Sequence, residues 1–163
     1  MNNLTTSGGQ TLAFAYFQKC IQPILVARSC AASGCHDNVS GTGGALRLIG
    51  SAPAVDLSDP ANTPDVIRTN DMYKNFYSSQ SSSIIGAPTQ SKLLLKPLVQ
   101  GVLHGGGLIF ANSQDPNVKL LEYWIGHPVQ GQGEDEFSTT TYNAMFTPAF
   151  DPANPAASTC NTQ

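Results

Sequence analysis

At 163 residues the chain fits one domain and is too short for two independent cores. Charged residues make up 12% of it, against roughly 25% in an average soluble protein, so the surface is expected to be polar but largely uncharged, which suits an exported protein better than a cytosolic enzyme. A net charge of -3 with eight Lys and Arg residues argues against nucleic-acid binding, and no apolar run reaches the ~18 residues that span a bilayer.

Residues 1–10 are predicted to form a flexible N-terminus. They have neither the basic region nor the apolar region of a secretion signal, so export would require a signal outside this sequence. The first helix is predicted from Leu12 to Ile21, because apolar residues recur there near helical spacing. Pro23 is expected to bend the chain, and a second short turn is expected to end near Ser29.

Three more helices are predicted farther along the chain. Each has a capping residue or a proline near its start and carries apolar residues on one face. They run from Thr63 to about Tyr77, from Ser91 to Leu98, and from the segment Ser113–Pro116 to Gly126, where the glycine ends the helix.

The segment 128–163 has a different character. Residues 137–146 alternate as in a strand, and residues 147–157 are rich in proline. We therefore expect a mostly α domain over residues 11–127, with long loops, followed by an extended Pro/Thr-rich tail over residues 128–163. Such a tail must dock on something to be ordered.

The most informative motif is Cys30-Ala-Ala-Ser-Gly-Cys35-His36. Covalent attachment of haem c needs two thiols, which form thioethers with the vinyl groups, and a histidine directly after the second thiol, which reaches the iron. Four residues separate the cysteines instead of the usual two. The small residues between them, Gly34 included, allow the bulge that this spacing requires.

Three other interpretations of the motif compete with haem attachment. A zinc site is disfavoured, because adjacent Cys and His side chains can rarely both reach one tetrahedral ion and no partner motif occurs. A disulfide between Cys30 and Cys35 is geometrically feasible. The third interpretation is a pair of buried cysteines without a further role.

Two stretches of the chain extend the haem motif. Residues 17–30 read FQKCIQPILVARSC and lead into Cys35-His36, while SKLLLKPL at 91–98, HGGG at 104–107 and LLEYWI at 120–125 follow in order. Together they resemble planctomycete-type cytochrome c domains over roughly residues 14–127. The resemblance implies a small cytochrome c-like helical domain around one haem c. It also implies electron transfer as the function.

A haem iron usually takes a second axial ligand, and four residues are candidates. We favour His104, because the glycines after it let the backbone pass close to a porphyrin and because it matches the histidine of the family. Met72 is the main rival. His127 is expected to cap a helix or lie on the surface, and Met145 is the remaining candidate.

The haem assignment leaves Cys20 and Cys160 as the remaining cysteines. In an oxidising compartment an even remainder suggests a disulfide, here one that pins the tail to the first helix. An intermolecular bond is the alternative.

These features predict an exported electron carrier, periplasmic or extracellular, with one haem c held by Cys30, Cys35, His36 and His104. His36 and His104 would ligate the iron, and redox proteins would be the partners. A variant of this hypothesis has copies assemble into a filament through their tails. The alternatives are a secreted disulfide-bonded binding or structural module without a cofactor, and a haem enzyme in which His104 leaves an axial position open.

Overall fold

A computed structural model describes residues 10–130 and 133–163. The predicted flexible N-terminus lies outside the described residues, except for Gln10. Helix makes up 39% of the structure and strand 4%, which confirms the mostly α prediction. In the part of the chain that the structure describes, no helix has the length and apolar character that crossing a membrane requires.

The helices are α1 (Phe14–Tyr16), α2 (Gln22–Ala27), α3 (Pro64–Ile67), α4 (Asp71–Ser81), α5 (Lys92–Leu98), α6 (Pro116–Gly126) and α7 (Thr139–Tyr142). A π-helical segment, Phe17–Ile21, joins α1 to α2, and single 3-10 turns lie at Pro88–Gln90, Asn143–Met145 and Pro155–Ala157. Two short strands, β1 (Phe146–Thr147) and β2 (Thr159–Cys160), pair antiparallel, with Phe146 opposite Cys160.

Helical residues continue through Pro23 without a break, from Phe14 to Ala27. Proline has no N–H for the carbonyl four residues earlier and its ring would clash there. The turn before it widens instead, with the Gln22 N–H donating to the carbonyl of Phe17 five residues back. This π turn lets one helical rod continue from Phe14 to Ala27.

Helix α1 is buried on every side, since residues 12–17 have at most 2% of their surface exposed. Trp124 of α6 packs on Phe17 with ring centres 5.3 Å apart and donates its indole N–H to the Ala13 carbonyl over 3.1 Å. Phe76 of α4 meets Phe14 edge to face at 5.5 Å. A helix that is apolar all round needs such a complete enclosure.

The helix predicted from Thr63 to about Tyr77 is two helices in the structure. Thr63 accepts a hydrogen bond from the Val66 N–H, as an N-cap does, but α3 ends at Ile67. Asn70 then caps α4 by accepting from the Met72 N–H. Polar residues that can cap a helix also interrupt one, so the apolar periodicity alone missed this break.

The C-terminal tail is folded against its own chain. The predicted strand over residues 137–146 is instead α7 and a 3-10 turn, and only Phe146–Thr147 is a strand. The Phe14 N–H donates to the Glu136 carbonyl over 3.0 Å, and the Tyr16 hydroxyl donates to the Asn161 carbonyl over 2.6 Å. The tail therefore completes the enclosure of α1 and shares its hydrophobic core.

Cys20 and Cys160 form a disulfide within the chain, across 140 residues of sequence. This confirms the predicted pairing of Cys20 with Cys160. The bond joins the π-helical segment to β2 and fastens the end of the tail to the first helical rod.

Replacing both residues, Cys20→Ser with Cys160→Ser, is expected to lower the free energy of unfolding by about 2–5 kcal/mol, because the unfolded chain loses a very long closed loop. Denaturant titration followed by circular dichroism measures the change. A reductant should destabilise the wild type by the same amount and leave the double variant unaffected. Equal stability of both proteins would contradict this role of the disulfide.

Candidate functional site

The structure brings together His36 and His104, which are far apart in sequence. Their ring centres are 6.3 Å apart and their planes are 8° from parallel. A metal–imidazole bond is about 2.0–2.1 Å long, so two imidazoles on opposite sides of one ion have ring centres about 6.3 Å apart. Ordinary aromatic pairs also occur at this separation, and the ring nitrogens therefore decide what the pair can do.

Each of the two rings makes one hydrogen bond through Nδ1. His36 Nδ1 lies 3.2 Å from the Leu46 carbonyl oxygen, and His104 Nδ1 lies 2.8 Å from that of Gly107. A carbonyl only accepts, so each Nδ1 carries the hydrogen. A neutral ring then keeps its lone pair on Nε2, which is the tautomer of a histidine that binds metal through Nε2.

The pKa of His36 favours the neutral ring. Burial lowers this pKa most, and the nearby charges of Arg47 and Lys96 lower it further, while the hydrogen bond to Leu46 acts in the opposite direction. Only the neutral imidazole offers a lone pair to a metal. His36 is therefore ready to act as a ligand at neutral pH.

The backbone of His36 is held by the chain segment 46–49. The Leu48 N–H donates to the His36 carbonyl over 2.7 Å, and Leu46 accepts from the ring. The segment itself is fixed by Asn75 of α4, whose side-chain oxygen accepts from the Ile49 N–H over 2.7 Å and whose amide nitrogen donates to the Ile49 carbonyl over 2.9 Å. The position of His36 thus depends on α4.

Asn75 is a positioning residue that sequence reasoning missed. Its side chain is fully buried and also donates to Gln22 Oε1 of α2 over 3.2 Å. A buried amide with all these partners links α2, α4 and segment 46–49 in one network. Its place among apolar residues of α4, at a position that faces the core, was the only signal in the sequence.

Glycine lies against both imidazoles. A Cβ at Gly43 would come within 2.6 Å of Cε1 of His36, and one at Gly106 would come within 3.1 Å of Cε1 of His104. The loop after His36 therefore comes back so close to the His36 ring that position 43 has no room for a side chain.

Cys30 and Cys35 are both free thiols in the structure, so the disulfide interpretation of this pair is not realised. Cys30 is partly buried and Cys35 is exposed, and burial raises the pKa of the Cys30 thiol. The residues between them form a compact turn, with Gly34 at a φ of +82° and the His36 N–H donating to the Cys30 carbonyl over 3.0 Å. The four residues that separate Cys30 from Cys35 therefore fit into one closed loop.

The loop that carries His104 is anchored to the end of α5. Ile109 and Phe110 both donate their N–H groups to the carbonyl of Pro97, over 2.8 and 3.3 Å. Phe110 is buried and the Arg28 guanidinium covers its ring at 5.4 Å. The Gly107 N–H returns a hydrogen bond to the His104 carbonyl over 2.9 Å, which closes the turn.

The other candidate axial ligands are engaged elsewhere. Met72 and Met145 are buried in the hydrophobic core. The His127 ring stacks on that of Tyr123 with ring centres 3.8 Å apart. Its Nδ1 makes a hydrogen bond of 2.7 Å to the Tyr123 carbonyl oxygen at the end of α6. Among residues 10–130 and 133–163 there is no group of three or more His, Cys, Asp or Glu side chains able to hold a metal ion.

Gly43→Ala is expected to lower the free energy of unfolding by about 1–3 kcal/mol, because the new methyl group would overlap the His36 ring and the Cys35 carbonyl. Gly105→Ala is the matched control, since a Cβ there meets nothing within 4 Å and its backbone is not in the left-handed region. Chemical denaturation of both variants measures the difference. Equal stability of the two variants would mean that the loop around His36 rearranges without a loss of free energy of unfolding.

Comparison with known proteins finds no family model, no curated protein and no solved structure that matches this chain. The resemblance to planctomycete-type cytochrome c domains therefore stays a prediction. What can be inferred about function comes from the geometry of the two histidines and their neighbours.

Proposed function

We propose that this chain is an exported c-type cytochrome that transfers single electrons between partner proteins. One haem c would be attached through Cys30 and Cys35, with His36 and His104 as its axial ligands. The observation that carries the proposal is the pair of near-parallel imidazoles, 6.3 Å apart, whose Nδ1 atoms are both directed to carbonyl oxygens.

The residues present fit this prosthetic group in three independent ways. The ring separation suits two ligands on one ion, and the tautomers keep both Nε2 atoms available. Cys35, directly before His36, is exposed and unpaired. Leu103, next to His104, and Val39, close after His36, expose 92% and 88% of their surface, so both histidine loops offer an apolar side chain that a haem could cover.

When bound, the haem supplies an iron that alternates between the ferrous and ferric states. The role of the protein would be to hold the haem and to insulate it from water. His36 and His104 would fill both axial positions, so no position remains for a substrate and the protein would act as a carrier, not as an enzyme. The hydrogen bonds from both rings to carbonyl oxygens would hold the two histidines in a fixed orientation for an iron bound between them.

Export to an oxidising compartment is supported by the disulfide between Cys20 and Cys160, since such bonds persist outside the cytoplasm. We therefore expect the periplasm or the extracellular space. The same bond argues against the filament variant in which each tail adds to a neighbouring copy, because Cys160 and Asn161 are engaged by the first helical rod of their own chain.

The first test is production of the chain in a host with c-type haem maturation. The wild type should give the pyridine haemochrome spectrum of haem c, and Cys30→Ala with Cys35→Ala should retain no covalent haem, because no thiol is left at the motif. Cys20→Ser with Cys160→Ser removes the same number of thiols and should keep the haem. A wild type without covalent haem would favour the secreted module instead.

The second test concerns His104. The oxidised wild type should have the visible and electron paramagnetic resonance spectra of low-spin iron, and His104→Ala should convert it to high spin, because one axial position opens. His127→Ala and Met72→Leu are the controls and should remain low-spin. A high-spin wild type would favour the haem enzyme, and loss of the low-spin state in Met72→Leu would identify the rival ligand.

A further inference from the structure

We infer that Arg47 and Lys96 bind the two propionate carboxylates of the tetrapyrrole and so hold its propionate edge between the loops of His36 and His104. This inference rests on the proposed function, since it names further residues of the same site. It is carried by the position and the unpaired charge of the two side chains.

Arg47 lies directly beside the His36 ligand. Its Nη1 is 3.4 Å from the Leu46 carbonyl oxygen, the same atom that accepts from the His36 ring. Its backbone N–H donates to the Ser78 hydroxyl of α4 over 2.8 Å. The backbone of Arg47 is thus held close to the His36 imidazole, and the remaining N–H groups of the Arg47 guanidinium are free to bind an anion.

Lys96 approaches from the other loop. It lies in the last turn of α5, directly before Pro97, whose carbonyl anchors the loop of His104. The side chains of Arg47 and Lys96 are both partly buried. Arg47 thus belongs to the segment that holds His36, and Lys96 lies at the end of α5 that anchors the loop of His104.

The charge of these two residues is not neutralised by the protein. Four of the eight basic residues, Arg28, Arg68, Lys74 and Lys119, pair with carboxylates. In the described residues, Arg47 and Lys96 have no such partner, although Asp and Glu outnumber Lys and Arg by 11 to 8.

Partly buried cations normally find a counter-charge, because burial of an unpaired charge costs free energy. Haem c brings two carboxylates into this site, one for each cation. Arginine suits a carboxylate well, since its planar group can donate two parallel hydrogen bonds. The two thioethers would fix the vinyl edge of the macrocycle at Cys30 and Cys35, and the pairing with Arg47 and Lys96 would hold the propionate edge.

The test uses the haem-loaded protein and the variants Arg47→Met, Arg47→Lys and Lys96→Met. Resonance Raman bands of propionate bending should shift in Arg47→Met and Lys96→Met, because the carboxylates lose their partners. The equilibrium constant for reduction should fall about three- to tenfold, a tenfold fall being about 59 mV for one electron, because removal of a nearby positive charge favours the ferric state. Arg47→Lys should keep most of the wild-type potential.

Lys92→Met is the matched control, since Lys92 lies one turn earlier on α5, is exposed and has no such position beside His36. It should leave the Raman bands and the potential unchanged. Unshifted Raman bands in both Arg47→Met and Lys96→Met, with or without a change in potential, would overturn the inference. A pyridine haemochrome on each protein separates this outcome from failure of the proposed function, because a wild type without haem c overturns both.

Discussion

The enclosure of helix α1 is the constraint on which the rest of the structure depends. Its residues are apolar on all faces, so every neighbouring element has to supply apolar surface. Groups near its start also need hydrogen-bond partners from other elements. The Gln80 side chain accepts from the Leu12 N–H over 2.7 Å, the Glu136 carbonyl accepts from Phe14, and the Ala13 carbonyl receives the indole N–H of Trp124. These contacts draw α4, α6 and the tail onto one helix.

The candidate site inherits its geometry from this enclosure. Helix α4 is held against α1 by Phe76, and one residue before Phe76 it presents Asn75 to the segment that carries Leu46 and Leu48. That segment in turn holds both the backbone and the ring of His36. The ring is thus connected to the core by hydrogen bonds through a fully buried amide. Such a connection explains how a residue in a turn-rich loop can keep one orientation.

Two opposite electrostatic demands meet at the site. A metal ligand has to remain neutral, which burial and nearby cations promote at His36. The same cations, Arg47 and Lys96, would be costly beside the imidazoles if nothing balanced them. A group that brings a metal to the histidines and carboxylates to the cations satisfies both demands together. Haem c has this combination, which is why the imidazoles, the thiols and the charges support one proposal.

The helical class, most helix starts, the candidate residues of the site and a disulfide between Cys20 and Cys160, as one of two alternatives, could be predicted from the sequence. These are local or combinatorial features: apolar spacing, capping residues, and an even number of cysteines. The folded chain was needed to show that Asn70 divides one predicted helix, that the tail folds back on α1 and that the ring of His104, rather than Met72, lies close to that of His36. Each of these outcomes depends on contacts between residues distant in the chain, and no local pattern encodes which distant partner a polar or apolar side chain will meet.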